Sequence, residues 1–383
     1  MSVTAASGFR AAGVTAGLKP SGKPDLALVV NDGPEHVGAA VFTSNRVEAA
    51  PVTWSRQVVT DGRVDAVVLN SGGANACTGA QGFLDTHRTA ELVAEAAGVS
   101  AGDVVVCSTG LIGELLPMDR IENGVTQVSG AVSADGGADA AEAIMTTDTV
   151  AKECEGIGSG YVVGGMAKGA GMLAPSLATM LVVVTTDAVL TPEQADEALR
   201  TATRLSFDRI DSDGCQSTND TVLLMASGAS GVAPEMGEFT SILTEVCQDL
   251  ALQLITDAEG AAHDIEIVVN GAANINDGLE VARTIAGNNL FKCAVFGGDP
   301  NWGRVLAAVG TTKAAFDART LDVAINGVMV CRDGGVGDDR SGVDLSNREV
   351  KVEVFLKAGE ESVTIFTNDL THDYVHENSA YST

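Results

Sequence analysis

Short runs of β-branched and other apolar residues recur along the chain, and most are bounded by Gly, Asn, Asp or Pro. Apolar runs of this length, closed by turn-forming residues, are typical of β-strands. The pattern therefore predicts strands at 26–30, 64–69, 104–107, 161–163, 181–185, 265–269, 321–325, 350–356 and 362–367.

Other segments show the spacing of helices. The string Thr191-Pro-Glu-Gln has threonine at the N-cap, proline at the first helical position and glutamine at the third. This capping box predicts a helix that begins there and ends near Leu205. Apolar residues on one face, or a high alanine content, predict further helices over 84–97, 137–145 and 239–255.

Strands and helices mix along the whole length, which predicts an α/β or α+β fold of packed layers, a layered sandwich. The elements do not alternate as regularly as in a barrel, and no GxGxxG opens a first βα unit. A dinucleotide-binding fold is therefore not expected. The glycine-rich stretch 130–137 predicts a flexible connector, and 332–345, rich in Asp and Gly, predicts an exposed loop.

Length and charge narrow the classes of function. The 383 residues suffice for two domains or one large one, and the formal net charge is −28. Such acidity argues against a nucleic acid or an anionic membrane surface as a partner. No apolar run reaches the roughly 18 residues that span a bilayer. Because the first ten residues lack the pattern of a signal peptide, a cytoplasmic location is expected.

The cysteines and histidines do not predict a metal site. The seven cysteines are scattered without a CxxC, and the five histidines form no HExxH. Reduced, mostly buried thiols are the expected state.

The strongest chemical signal is the segment KGAGMLAPSLATML, which runs from Lys168 to Leu181. It is a glycine-rich loop that leads to Thr179 at the start of an apolar run. A threonine in this setting is ordinarily only the first residue of a strand. Its hydroxyl becomes a useful nucleophile when a base removes the proton, and the α-amine of an N-terminal threonine is such a base.

The segment closely resembles the self-cleavage signature of the ornithine acetyltransferase family, also called the bifunctional glutamate N-acetyltransferases of arginine biosynthesis. The resemblance extends over nearly the whole chain, from the string VFTSNR at Val41 to the C-terminus. It implies that a precursor cuts itself between Ala178 and Thr179. Residues 1–178 would form an α chain with the oxyanion hole, and 179–383 a β chain that begins with the nucleophile. The implied fold is a two-domain, self-cleaving N-terminal-threonine acyltransferase.

Two further strings match active-site motifs of this family. In Ser108-Thr-Gly, the resemblance assigns the oxyanion hole to Thr109 and Gly110, whereas the residues alone would indicate a Ser/Gly turn. In the string Thr146-Thr-Asp, the resemblance favours Thr146 as the substrate contact. Thr147 is its rival, and helix capping is the structural alternative.

The remaining candidates are charged residues and the C-terminal segment. Lys168 matches a lysine whose ammonium can hold a substrate carboxylate. Glu259 matches a carboxylate that binds the substrate α-amino group or assists proton transfer. Asn378 and Thr383 match residues that fold into the family's active site, although such a tail is ordinarily frayed. The string 211–220 resembles a family turn that is either structural or site-lining.

The resemblance implies transfer of an acetyl group from N2-acetyl-L-ornithine to L-glutamate through an ester on Thr179. No metal or cofactor is expected because the acetyl donor is itself an amide, and the use of acetyl-CoA as a second donor stays open. The family assembles two α and two β chains. The alternatives are a self-cleaving amidohydrolase or aminopeptidase with the same nucleophile, and a metabolite-binding protein that is never cut.

Overall fold

The structure is a computed structural model that describes residues 2–174 and 180–380. In these ranges the strands, β1 to β15 in chain order, are Phe9–Val14, Leu26–Asn31, Val37–Phe42, Ala66–Ser71, Val104–Thr109, Lys152–Ile157, Val162–Lys168, Leu181–Thr186, Thr221–Ala226, Asp264–Ala272, Asp322–Ile325, Val328–Arg332, Gly335–Val336, Glu349–Phe355 and Glu361–Asn368. The helices, α1 to α10, are Ala50–Val58, Gly79–Ala97, Met118–Ala131, Gly137–Ala143, Pro192–Leu205, Met236–Thr256, Ile275–Ala286, Asn289–Phe296, Trp302–Val309 and His372–Ala380.

The strands form three sheets. The first has the order β1-β2-β4-β5, and β4 runs parallel to β5. The second has the order β3-β9-β8-β7-β6, and β8 runs parallel to β9. The third has the order β13-β12-β11-β14-β10-β15, in which β10 and β14 are parallel. The remaining pairs are antiparallel.

The first two sheets pack face to face. Ala27 and Val29 of β2 share one buried apolar cluster with Leu181 and Val183 of β8. Because successive side chains of a strand point to opposite faces, the residues between them point away from this layer. Every position of β2 and β8 is nevertheless buried, so the outer faces of both sheets must also be covered.

Helices cover those outer faces. Leu28 of β2 packs in a cluster with Val93 of α2 and with residues of α3. Val184 of β8 packs in a cluster with Leu199 of α5 and Leu250 of α6. The result is a four-layer arrangement of helices, sheet, sheet and helices. Burial on both faces explains why these strands appear as continuous apolar runs rather than alternating ones.

The third sheet carries its own helices. Ile267 of β10 and Val352 of β14 pack against Val281 of α7, Phe291 of α8 and Val305 of α9. This unit begins near residue 264, whereas the second sheet takes strands from both sides of residue 178. In particular, β7 pairs with β8 across the segment that contains the predicted cleavage position.

The layered fold confirms the prediction from the sequence, and each predicted strand overlaps an observed one. The capping box is present in full at the start of α5. The backbone N–H of Thr191 donates to Gln194 Oε1 over 2.9 Å, and the backbone N–H of Gln194 donates to Thr191 Oγ1 over 3.2 Å. The segment 332–345 is largely exposed, as expected, and contains the short β13.

The predicted flexible connector at 130–137 is wrong. Helix α3 continues to Ala131, and the backbone of Ser133 exchanges two hydrogen bonds of 2.9 Å with Ala11 of β1. A Cβ on Gly136 would lie 1.9 Å from the carbonyl oxygen of Ala11. Glycine is present there because two backbones approach closely, which sequence composition alone does not distinguish from flexibility.

None of the helices in the described ranges has the length and apolar character needed to cross a membrane.

Candidate functional site

The predicted site residues that the structure describes line one pocket of about 130 Å³. These are Thr109, Gly110, Thr146, Lys168, Glu259 and Asn378, and Thr147, Gly171 and Met172 complete the lining. Both threonines of the Thr-Thr-Asp string therefore line the pocket, so either Thr146 or Thr147 can be the substrate contact. Ala178, Thr179 and Thr383 lie outside the described residues.

Thr109 and Gly110 lie where β5 ends. The carbonyl of Thr109 accepts hydrogen bonds of 3.0 Å from the N–H groups of Gly72 and Gly73. Gly110 has φ +131°, and a Cβ on it would lie 2.6 Å from the nitrogen of Gly73. Only glycine fits this turn, because both the positive φ and the contact with neighbouring backbone exclude a side chain. The turn leaves the side chain of Thr109 and the backbone of Gly110 on the pocket wall.

Lys168 lies at the end of β7 and is 1% exposed. Its Nζ donates to Thr109 Oγ1 over 3.2 Å. An ammonium can only donate, so the threonine oxygen is the acceptor in this contact. The single O–H of Thr109 is therefore left to donate elsewhere, which suits a group that stabilises a developing oxyanion.

The charge of Lys168 has no close counter-ion within residues 2–174 and 180–380. Among the described residues, no carboxylate lies within 4.0 Å of its Nζ. Burial lowers the pKa of Lys168, and the negative charge of Asp148 acts against that shift. A buried ammonium in this state is favourably placed to receive a substrate carboxylate.

A buried ionic network supports this lysine. Asp148 Oδ1 accepts from Lys152 Nζ over 2.7 Å and from the N–H of Gly169 over 2.6 Å, and its Oδ2 accepts from the N–H of Thr146 over 2.9 Å. Lys152 also pairs with Asp257 over 2.6 Å. Burial would raise the pKa of Asp148, but the charges of Lys168 and Lys152 outweigh it and lower the pKa to about 2. Asp148 therefore fixes Thr146, which lines the pocket, and Gly169, which follows the pocket residue Lys168.

No sequence motif predicts this network. Asp148 is the last residue of the Thr-Thr-Asp string, where it suggests only a helix cap. Lys152 looks like an ordinary surface lysine in the sequence. The useful signal is their i, i+4 spacing beside a site motif, although that spacing is common on exposed surfaces. The structure instead shows both side chains fully buried.

Glu259 and Asn378 also line the pocket and are bonded to each other. The backbone N–H of Glu259 donates to the carbonyl of Ala170 over 2.8 Å, which holds it beside the glycine-rich loop. Asn378 Nδ2 donates to Glu259 Oε2 over 2.9 Å. Asn378 reaches this position because it lies on α10, so the C-terminal segment is a helix up to Ala380 rather than a frayed tail.

The string 211–220 positions the site from outside the pocket. Asn219 Nδ2 donates to the carbonyls of Ala74 and Ser108 over 2.6 and 2.8 Å, which holds the backbone just before Thr109 in place. Asp213 Oδ2 accepts from the N–H of Met172 over 2.8 Å. The contacts of Asn219 are structural, whereas Asp213 lies next to Met172 of the pocket lining.

A family model and curated relatives match the chain over nearly its full length. A model of the ArgJ family matches residues 10–383. The chain is 64% identical over 383 residues to the arginine biosynthesis bifunctional protein ArgJ of Thermobifida fusca, with 100% of both chains covered. It is 64% identical over 382 residues to the protein of the same name from Streptomyces coelicolor, again with 100% of both covered. Among solved structures, ornithine acetyltransferase from Mycobacterium tuberculosis, complexed with ornithine, is 56% identical. That match covers 46% of this chain and 96% of the other, with a TM-score of 0.43.

The buried network predicts a pH-dependent loss of stability in Asp148→Asn. This change removes the charge that partners Lys152 and offsets Lys168, and breaking a buried pair costs about 3 kcal/mol. We expect the free energy of unfolding in urea at pH 7 to fall by about this amount. The folded-state pKa of Asp148, about 2, lies below its ordinary 3.8. Its contribution is therefore present above pH 4 and is lost toward pH 2, so the difference from wild type should shrink over that window.

Asp317→Asn is the matched control. The pKa of Asp317 is also lowered to about 2, by hydrogen bonds from Arg319, but this carboxylate lies on the exposed surface. Solvent screens exposed pairs, so no measurable change is expected. Equal stability of Asp148→Asn and wild type at pH 7 would show that the network does not stabilise the fold.

Proposed function

The chain belongs to the ArgJ family, and on that basis we propose that it transfers an acetyl group from N2-acetyl-L-ornithine to L-glutamate in arginine biosynthesis. The observation that carries this proposal is the pocket that joins Thr109, Gly110, Lys168 and Glu259. It combines donors for an oxyanion with one cation and one anion for an amino-acid substrate. The names of the curated relatives include the word bifunctional. For the second activity we propose acetylation of glutamate by acetyl-CoA.

The nucleophile in this proposal is Thr179 after cleavage of the Ala178–Thr179 bond. Its hydroxyl attacks the carbonyl of Ala178, the amide becomes an ester, and water opens the ester. The products are an α chain of residues 1–178 and a β chain of 205 residues (383 − 178), 179–383. The pairing of β7 with β8 supports this step, because Lys168 on the pocket wall pairs with Leu181, which follows Thr179 by two residues in the sequence.

Acylation then uses the new α-amine of Thr179 as the base. This amine, with an ordinary pKa of about 7.7 to 8.0, accepts the hydroxyl proton while Oγ1 attacks the acetyl carbonyl. The hydroxyl of Thr109 and the N–H of Gly110 hold the oxyanion. The C–N bond breaks, the departing nitrogen takes the proton from the α-amine, and ornithine leaves. The acetyl group remains as an ester on Thr179.

Deacylation reverses these roles. The α-amine of glutamate attacks the ester carbonyl, and the α-amine of Thr179 accepts its proton. The ester C–O bond breaks, Oγ1 recovers the proton, and N-acetylglutamate leaves. Both half-reactions use one site in turn, which gives ping-pong kinetics.

The charges of the pocket residues indicate which groups bind the substrate. Lys168 holds the substrate α-carboxylate, and Glu259 binds the α-amino group of glutamate or takes its excess proton before attack. Thr146, Asn378 and Thr383 complete the substrate contacts. No metal or further cofactor takes part, because an amide or thioester already carries the acetyl group.

The proposed assembly is a heterotetramer of two α and two β chains in the cytoplasm. Cleavage need not separate the chains, since residues from both sides of the cut share the buried layer between the first two sheets.

Thr179→Ala should remain a single chain. Without the hydroxyl, the Ala178–Thr179 amide cannot shift to an ester, so the intact mass should equal that of the full sequence. Wild type should give two masses, for 178 and 205 residues (383 − 178). Fragments of these masses from the variant would rule out Thr179 as the cleaving group.

Thr109→Ala should lower kcat by on the order of 10²-fold, because one of the two oxyanion donors is lost. KM should change much less, since the anchors for the amino-acid part remain. Thr109→Ser keeps the hydroxyl and serves as the control. Near-normal turnover by the alanine variant would remove Thr109 from the mechanism.

The reaction should conserve the acetyl group. With N-acetylornithine alone, ornithine release should stop after about one equivalent per site, the burst expected of an acyl-enzyme. Added glutamate should restore turnover and yield one N-acetylglutamate for each ornithine. Continuous release of free acetate at a rate that glutamate does not change would instead identify an amidohydrolase.

A further inference from the structure

A second, smaller pocket shares Glu259 with the first, since this residue lines both. Lys292 of α8, Asp213 and Tyr374 of α10 also line the second pocket. Asp213 connects the two pockets, because its Oδ2 accepts from the N–H of Met172, which lines the first. None of the steps proposed above uses this second pocket.

Lys292 is the unusual group in this pocket. It is 4% exposed, and its Nζ donates to the carbonyl of Ser212 and, over 3.2 Å, to Thr367 Oγ1. No carboxylate in the described ranges lies within 4.0 Å of the Nζ. The contrast is Lys152, which is equally buried but pairs with two carboxylates at 2.7 and 2.6 Å.

Lys292 and Lys168 are therefore alike. Each is a buried ammonium that has no carboxylate within 4.0 Å among residues 2–174 and 180–380, each lines a pocket, and the two pockets share Glu259. Burial lowers the pKa of Lys292, and the more distant charges of Asp211, Asp213 and Asp369 act against that shift. Removing a positive charge from water is costly unless an anion approaches it, so a ligand carboxylate would stabilise the site.

We propose that the Lys292 pocket is the subsite for the side-chain end of both amino-acid substrates. Lys292 donates to the γ-carboxylate of glutamate through its remaining N–H. When ornithine is bound, Asp213 accepts from the δ-ammonium instead. This inference rests on the proposed function, since that function supplies the two substrates.

The charges of the two pockets support this assignment. Lys168 and Lys292 carry positive charge, one in each pocket, and Glu259, which lines both, carries negative charge. Asp213 and Asp369 add carboxylates to the second pocket, but Asp369 is already bonded to His263 Nδ1 over 2.7 Å and to the N–H groups of Ala262 and His263 over 3.0 Å. Glutamate carries the opposite charges in its α-carboxylate, α-ammonium and γ-carboxylate. A single bound glutamate can therefore supply the two lysines with carboxylates and meet Glu259 with its amine.

The ping-pong cycle explains why one subsite contains both a positive and a negative group. N-acetylornithine and glutamate occupy the same site in turn, and their side chains end in opposite charges. Asp213 keeps acceptor capacity on its Oδ2, which has only a long 3.5 Å contact with the Tyr374 hydroxyl besides the Met172 bond. A subsite with Lys292 and Asp213 can thus serve either substrate, whereas a subsite of one sign would repel one of them.

The decisive experiment compares kcat/KM for the two substrates, because in a ping-pong mechanism each value reports its own half-reaction. In the cleaved enzyme, Lys292→Met should lower kcat/KM for glutamate on the order of 10- to 100-fold, since a charge-assisted hydrogen bond is lost. The value for N-acetylornithine should change less than about threefold. Asp213→Asn should do the reverse: it should lower kcat/KM for N-acetylornithine and change the value for glutamate much less. Lys313→Met, which removes an exposed lysine, should leave both values unchanged.

Neutral substrates separate recognition from structural damage. Glutamine replaces the side-chain carboxylate of the acceptor, and N-acetylnorvaline lacks the δ-ammonium of the donor. Lys292→Met should reduce the preference for glutamate over glutamine, and Asp213→Asn the preference for N-acetylornithine over N-acetylnorvaline. Equal losses for the charged and neutral members of a pair would overturn the subsite. If Lys292→Met does not fold, the Asp213→Asn comparison still decides the question.

The failure of the subsite can be distinguished from failure of the proposed function. A wild-type enzyme that never acquires an acetyl ester from N-acetylornithine, measured by intact mass, contradicts the function. A wild-type enzyme that transfers acetyl normally, with variants that affect donor and acceptor equally, contradicts only the role of the Lys292 pocket.

Discussion

The site depends on keeping a buried lysine charged. Lys168 is almost fully enclosed, and burial alone favours its neutral form. Asp148 supplies the main opposing charge, and Lys152 in turn prevents that carboxylate from pairing with Lys168 alone. If Asp148 bonded Lys168 directly, the ammonium would be neutralised and unavailable to a substrate. The second lysine and Asp257 therefore let Asp148 act at a distance, so that Lys168 keeps a free charge toward the pocket.

The same network connects elements that are far apart in the chain. Asp148 bonds the backbone of Thr146 before β6 and of Gly169 after β7, while Asp257 follows α6. These contacts hold the glycine-rich loop between strands that are already fixed in a four-layer core. Precise placement at the site thus comes from rigid neighbours rather than from the loop itself, whose glycines allow close approach but give no stiffness.

The sequence predicted the layers because burial on both faces leaves continuous apolar runs, as in β2 and β8. It did not predict β1 or β3, where glycine and alanine lower the apolar signal and tertiary pairing decides the conformation. Motifs identified Thr109, Lys168 and Glu259, which the pocket brings together. The sequence did not predict the ionic network of Asp148 and Lys152, because the role of these residues depends on their burial. Burial of a charged residue comes from the assembled fold and leaves no local pattern.

The net charge of the protein bears on the role of Lys168 and Lys292, two buried lysines without a carboxylate partner in the described part of the chain. A formal charge of −28 repels glutamate, which carries one net negative charge, whereas N-acetylornithine is neutral overall. At physiological ionic strength, exposed charges are screened beyond about 8 Å, so most surface carboxylates have little effect inside the pocket. The local field there is set by the buried groups, which solvent ions screen far less. Lys168 and Lys292 can therefore make an acidic protein locally attractive to a dicarboxylic amino acid, and Glu259 between them keeps the pocket from being equally attractive to dianions without an amine.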